Sequence, residues 1–302
     1  MQQAQTEAMK LFHLPGGLNV WNSPESGSDT QFLYREIFER NSYDKHGVAL
    51  DESNVVFDVG ANIGLFALSV MRRSQALRLF CFEPVPGTYE CLARNLAESP
   101  LRATHQVTTL NLALGAEDTQ TTIEFFPGAP SNSTLYSLEK HRDFPKILDG
   151  VRWADLWRTN KLRALFFLPL FPLRKRLLGP AYERLLATGR SLPCRVTTLS
   201  AVIREYKVDR IDLLKIDVEG AEMDVLAGIE ECHWPLVRQL CMEVDPTNKH
   251  RVTALTDSLR ARGFAQIAIE SMFGGPSNLE DPVACTVFAV RGFERARHGG
   301  NA

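Results

Sequence analysis

Asn54-Val-Val-Phe-Asp-Val-Gly-Ala-Asn-Ile-Gly64 reads as a strand, a tight turn and the start of a helix. Residues 54–59 are nearly all apolar, as in strands covered on both faces of a parallel sheet. The G-x-x-x-G that follows, Gly60 to Gly64, makes a turn whose glycines let backbone approach a ligand closely. A helix over Leu65–Arg73 comes next, and its N-terminus favours an anionic group such as a carboxylate. A nicotinamide dinucleotide site would prefer G-x-G-x-x-G, with a small residue where Asn62 stands. Taken alone, the turn also fits an ordinary strand-to-helix connection.

On either side of this stretch the chain alternates. Upstream, residues 1–30 mix Gly, Pro and Ser and read as an irregular lead-in, followed by a helix from Thr30 to about Asn41 capped by Asp29 or Thr30. Downstream, strands are expected over Leu77–Phe82, Val107–Ala113 and Gln120–Phe126, the last two as a hairpin, with a helix over Thr88–Glu98. After a break, helices at Thr198–Tyr206, Ala221–Gly228 and Lys249–Arg262 alternate with strands at Ile211–Ile216, Leu236–Val244, Phe264–Glu270 and Ala284–Arg291. Such alternation implies βαβ crossovers. The fold expected is α/β and Rossmann-like, a mostly parallel seven-stranded sheet with a C-terminal antiparallel strand and a helical insertion. The division expected is a lead-in and cap helix over 1–53, the main domain over 54–291 with its insertion at 137–191, and a flexible tail over 292–302.

Acidic residues then collect at strand ends, where open α/β sheets bind ligands. Asp58 precedes the glycine turn. Glu83 closes the next strand, 25 residues later, where a carboxylate can accept hydrogen bonds from both ribose hydroxyls of a nucleoside, and Pro84 stops the strand. Lys215-Ile-Asp217-Val-Glu219-Gly-Ala-Glu222 places acids after a buried strand, and buried carboxylates need a cation or hydrogen-bond donors. A sulfonium methyl donor would serve, or Lys215 would neutralise them structurally. Glu243 and Asp245 end another strand in MEVDP. Asp217, Glu243 and Asp245 would also suit Mg²⁺, but no metal is expected. For a hydroxyl acceptor the candidate bases are Asp217, Glu243 and His46.

The set DVGANIG, FEP, NLALG, KIDVEGAE and MEVDP, in this order, resembles the FkbM-type methyltransferases over roughly residues 30–135 and 193–291. The resemblance implies a class I methyltransferase fold using S-adenosylmethionine, usually for O-methylation. It implies that Gly60, Ala61, Asn62 and Gly64 cradle the methionine part of the cofactor, Glu83 holds the ribose and Asn111 to Ala113 border the adenine. Asp217 would face the amino group or sulfonium, and Ser131-Asn132-Ser133 would close over the site. The stretch from Phe32 to Val48 resembles the lead-in of members found with natural-product megasynthases.

Composition narrows the partners. The chain has 302 residues, a formal net charge of −2 and 44% hydrophobic residues, which gives no electrostatic grip for nucleic acid. The six cysteines form no CxxC and no zinc-spaced cluster with His, and read as reduced thiols. Neither a secretory leader nor a membrane-length apolar run is evident, so a cytoplasmic protein is expected. The insertion carries Arg158, Lys161, Arg163, Arg174, Lys175 and Arg176 around an apolar core from Leu165 to Leu173. It reads as a lid for a hydrophobic substrate with a basic rim for an acyl carrier protein, as a membrane-surface contact, or as helices covering the sheet. The acceptor expected is a small-molecule hydroxyl, free or on a carrier protein. Competing functions are a nicotinamide-dependent oxidoreductase and a non-catalytic scaffold that retains the cofactor pocket.

Overall fold

The computed structural model describes residues 8–50, 54–136, 173, 176, 179–180, 183–184, 186–245, 250–271 and 284–292. The helical insertion read over 137–191 therefore lies mostly outside the described residues, as does most of the tail.

Residues 10–22 are not irregular. They form an antiparallel hairpin, β1 (Lys10–Leu14) and β2 (Leu18–Asn22), turned by Pro15-Gly16-Gly17 with both glycines at positive φ. Helix α1 (Gly27–Tyr34) begins one turn earlier than expected, after Ser26, and runs into a π-turn over Arg35–Glu39. Asp29 does not cap it; both its carboxylate oxygens accept hydrogen bonds from Ser131 instead.

The central sheet follows the expected plan. Strands β3 (Asn54–Val59), β4 (Leu77–Phe82) and β5 (Gln106–Leu110) run outward on one side. Strands β9 (Leu213–Ile216), β10 (Gln239–Val244), β11 (Phe264–Ser271) and β12 (Cys285–Arg291) complete it on the other. The order is β11-β12-β10-β9-β3-β4-β5, with β12 antiparallel to both its neighbours and the other pairings parallel. This is a Rossmann-like class I methyltransferase sheet. Chain order reverses between β3 and β9, the switch point beside which such sheets bind ligands.

Helices α2 (Leu65–Arg73) and α3 (Pro86–Ala97) pack with α1 and the hairpin against one face. Helices α4 (Leu199–Glu205), α5 (Glu222–Ala227) and α6 (Val252–Ala261) cover the other. Between the layers β3 is buried along its whole length, which explains its unbroken apolar sequence. Among the described residues no helix is long and apolar enough to cross a membrane.

The region after β5 departs from expectation. The strand expected over Val107–Ala113 splits at Asn111, and Ala113–Leu114 (β6) leaves the main sheet. Nor does Thr119–Phe125 (β7) form a hairpin with it; Arg190–Thr197 (β8) inserts between them in a second sheet, order β6-β8-β7. The helical reading through Ser191 thus gives way to strand at Arg190. Pro193 conceals that strand in the sequence. It pairs with Thr122 of β7, whereas β6 reaches only Val196 and Thr197 of β8, and Pro is tolerated where a strand has a free edge.

Candidate functional site

A cleft of about 380 Å³ opens at the carboxyl ends of β3, β4, β9 and β10, within the range of small-ligand sites. Its walls include Gly60, Asn62, Glu83, Pro84, Ala113, Ser133, Asp217 and Glu243 from the expected set. Asp58, Ala61, Gly64, Asn111 and His46 do not reach it, and each of the five is engaged elsewhere.

The glycine turn is built by β3 and β4 together. The N–H groups of Gly60 and Ala61 both donate to the carbonyl of Phe82, at 3.1 and 2.9 Å. Gly60 has φ +79°, and a Cβ there would lie 1.8 Å from the carbonyl oxygen of Asp217. Only glycine lets these two loops touch. Asn62 takes φ +49°, and its side-chain oxygen accepts from the Ile63 N–H at 2.6 Å, the local bond that makes Asn tolerable in that region. Gly64, at φ +89°, starts α2 and packs against Leu92. Ala61 and Gly64 therefore shape the turn from behind.

Glu83 is held at the end of β4. One carboxylate oxygen accepts from the Asn62 N–H at 3.0 Å and the other from the Val85 N–H at 2.9 Å. Burial pushes its carboxyl up to about 7, against the lowering effect of those two bonds. Asn111 turns away from the cleft and braces this corner, donating to the carbonyls of Glu83 and Pro84 at 2.9 and 3.0 Å.

At the switch point sits a buried lysine. Lys215 lies directly across from Asp58 in the β3–β9 ladder, so strand register alone makes the pair. Its Nζ donates to the carbonyl of Gly60 at 3.0 Å and forms ion pairs with Asp58 at 3.1 Å and Asp217 at 3.4 Å. Burial raises the Asp58 carboxyl and the lysine charge pulls it back. Asp58 is thus a structural counter-ion beneath the turn, the neutralising role weighed for Lys215. Asp217 remains partly exposed to the cleft and accepts a second bond, at 3.0 Å, from the hydroxyl of Tyr43.

His46 stands apart from the cleft walls. It bonds Glu270 at 2.8 Å, meets the Phe288 ring at a tilt and has φ +54°, beside Lys45, which also binds Glu270. It is a turn residue, and of the three candidate bases only Asp217 and Glu243 face the cavity.

The structure adds residues that sequence reading missed. Phe32, Leu33 and Glu36, on one face of α1 and the π-turn, form part of the wall. Glu219, at φ +53°, joins from the loop after β9 and Glu222 from the start of α5. With Glu83, Asp217, Glu243 and Asp245 that makes seven carboxylates and, among the described residues, no Lys, Arg or His on the wall. Glu243 is raised well above the usual carboxylate range, first by burial and then by the charges of Asp217 and Glu36. Helical spacing of Phe32 and Glu36 was the one available signal; Tyr43 offered none, since its partner lies 174 residues away.

The turn Pro130–Asn132 closes one side, tied to α1 through Ser131 and Asp29. Next to it the Ser133 hydroxyl is buried without a hydrogen-bond partner, an orphan a ligand would satisfy. On another surface Glu230, Cys232 and His233 bring ligand atoms within 4.8 Å of one another. Arg204 already binds Glu230 and Ser200 binds His233, so this is a satisfied surface turn.

A family model described as the methyltransferase FkbM domain matches residues 171–264. The methyltransferase sdnD of Sordaria araneosa is 34% identical over 223 residues, 71% of this chain and 74% of that protein. The 31-O-demethyl-FK506 methyltransferase FkbM of Streptomyces tacrolimicus is 32% identical over 273 residues, covering 89% of this chain and 95% of that one. The AMB antimetabolite synthetase AmbE of Pseudomonas aeruginosa is 33% identical over 258 residues, 83% of this chain but only 11% of that protein.

Proposed function

The chain belongs to the FkbM family of methyltransferases, and we propose that it transfers the methyl group of S-adenosylmethionine to a hydroxyl of a small molecule. The observation that carries this reading is the convergence of the glycine turn, Glu83 and Asp217 on one cleft beside the sheet's switch point.

The residues fit that cofactor. Gly60 and Asn62 would meet its methionine part. Glu83 has a lone pair left on each oxygen beyond the two backbone bonds, enough to accept from two ribose hydroxyls. Ala113, with Leu112 and Leu114, offers an apolar wall for the adenine, and the orphan Ser133 hydroxyl a polar contact. Asp217, fixed by Lys215 and Tyr43, would face positive charge. Bound there, S-adenosylmethionine supplies an electrophilic methyl group on a sulfonium.

The protein's own task is then to align an acceptor and take its proton. Glu243 suits the second role, because a carboxyl raised by burial is a stronger base once ionised. Phe32, Leu33 and Leu135 give the acceptor side an apolar lip. The relative from Streptomyces is named for an O-demethyl acceptor and the relative from Pseudomonas for antimetabolite synthesis, which supports a natural-product hydroxyl, free or on a carrier protein.

The test uses purified protein, deuterium-methyl S-adenosylmethionine and a metabolite extract of the source organism, read by mass spectrometry. A feature that gains one labelled methyl only with active protein supports the reading and identifies the acceptor. If S-adenosylhomocysteine produces no heat on titration and no feature is labelled, the cofactor assignment is wrong.

A further inference from the structure

Most acids in the cleft have work to do within the fold. Glu83 accepts two backbone bonds, Asp217 binds Lys215 and Tyr43, and Glu222 accepts from the Gly220 N–H. Two differ. Among the described residues neither Glu36 nor Glu243 accepts a side-chain hydrogen bond or forms an ion pair, although both are half-buried and on the cavity wall.

Glu36 is held there deliberately by the backbone. The π-turn closes through the Arg40 N–H to the Arg35 carbonyl at 3.0 Å, and the Glu36 carbonyl accepts from both the N–H and the hydroxyl of Ser42, at 3.3 and 3.0 Å. Widened turns of this kind are uncommon and recur at functional sites. The turn lies on the lip formed by Phe32 and Leu33, the side left for an acceptor when the cofactor takes the glycine turn and Glu83. The orphan hydroxyl of Ser133, elsewhere on the cavity wall, marks the cleft as a whole as built for a ligand.

We infer that Glu36 is a second acid of the transfer reaction, gripping the acceptor's hydroxyl together with Glu243 and sharing with it the proton which that hydroxyl gives up. The inference rests on the transferase reading above. As the acceptor oxygen forms its bond to the methyl carbon, the carbon–sulfur bond breaks and its electron pair stays on sulfur. The acceptor's O–H bond breaks and the proton remains on the carboxylate pair until it is lost to water.

Both carboxyls lie above the ordinary carboxylate range, and the charge of Glu36 is one cause of the rise at Glu243. Glu36 is pushed up to about 7 by burial and by Asp217 and Glu219, while Arg40 and Lys215 pull it down. Glu243 is raised by burial and by Asp217, Glu36, Glu219 and Glu222.

The first test needs no acceptor. Carboxyl-labelled glutamate would be incorporated into the full chain and titrated by carbon NMR in wild type, Glu36→Gln and Glu243→Gln. The expected result is that both carboxyls titrate above the ordinary carboxylate range, with each substitution moving the survivor to lower pH. If removal of Glu36 leaves the titration of Glu243 unchanged, the shared proton is refuted.

The second test compares transfer to the acceptor found above. Glu36→Gln should lower kcat about a hundredfold or more and remove the limb near pH 7, with S-adenosylhomocysteine affinity unchanged and partial rescue by Glu36→Asp. A kcat within threefold of wild type overturns the role. So does an activity lost to chelator and restored by Mg²⁺ in wild type only, which would make the pair a metal site. A wild type that shows the coupled titration but transfers no methyl group would sink the transferase reading and leave the pair standing.

Discussion

Replacing Lys215 by Met should destabilise the protein by about 3–5 kcal/mol at neutral pH, because it leaves a buried carboxylate without its cation. The Asp58 side chain is 0% exposed and 3.1 Å from Nζ, whereas Asp217 is 23% exposed and can rehydrate. The penalty therefore falls on Asp58. For a chain of this size it amounts to roughly 5–8 °C in Tm. Its pH dependence has a definite sign. Burial already raises the Asp58 carboxyl above its ordinary 3.8, and Lys215 opposes that rise. Without Lys215 the folded-state value climbs further. A carboxyl whose folded value lies above its unfolded one loses stability as pH rises past the unfolded value. The deficit of Lys215→Met should thus be larger at pH 8 than at pH 5. Urea denaturation at both pH values, with the double variant Asp58→Asn/Lys215→Met alongside, reads this directly. The double variant should recover much of the loss at pH 8. A single-variant loss below about 1 kcal/mol, or a double variant no more stable than the single, would refute a buried pair at the switch point.

Gly60→Ala should abolish S-adenosylhomocysteine binding in calorimetry and lower Tm, since its Cβ would lie 1.8 Å from backbone that must move by more than an ångström. Gly64→Ala meets only the end of Leu92 and should cost about 1–2 kcal/mol, the left-handed backbone penalty; equal effects would contradict the close loop contact. Glu83→Gln turns an acceptor into a donor and should weaken binding of the nucleoside by about tenfold or more. In wild type that affinity should rise from pH 6 to pH 8 as Glu83 ionises near 7, and a flat profile would remove Glu83 from the ribose. Tyr43→Phe deletes the 3.0 Å bond to Asp217 and should weaken binding about fivefold with little change in Tm; a large Tm loss at full affinity would make Tyr43 merely structural.

Strand and helix periodicity carried the sequence far wherever a segment's neighbours are implied by its own pattern. Helix α2 and strand β4 match their expected bounds, Leu65–Arg73 and Leu77–Phe82. The hairpin over residues 10–22 was missed, because the surrounding Gly, Pro and Ser read as an irregular lead-in and hid the two short strands beside Pro15-Gly16-Gly17. Strand β8 was hidden by Pro193, and its pairing between β6 and β7 depends on partners 65 to 83 residues away.

The same division runs through the site. Glycines that relieve a turn, and acids that end an apolar strand, are local demands of covalent geometry and solvation, so Gly60, Asn62, Glu83, Asp217 and Glu243 stood out from sequence alone. Which acids stay open to a ligand is decided by what packs beside them, and no local pattern contains that. Register across β3 and β9 gave Asp58 to Lys215; distant docking gave His46 to Glu270 and brought Tyr43 to Asp217. The π-turn put Glu36 on the wall. Local chemistry in the chain nominated the functional residues, and long-range packing chose among them, because burial and charge pairing exist only once distant segments meet.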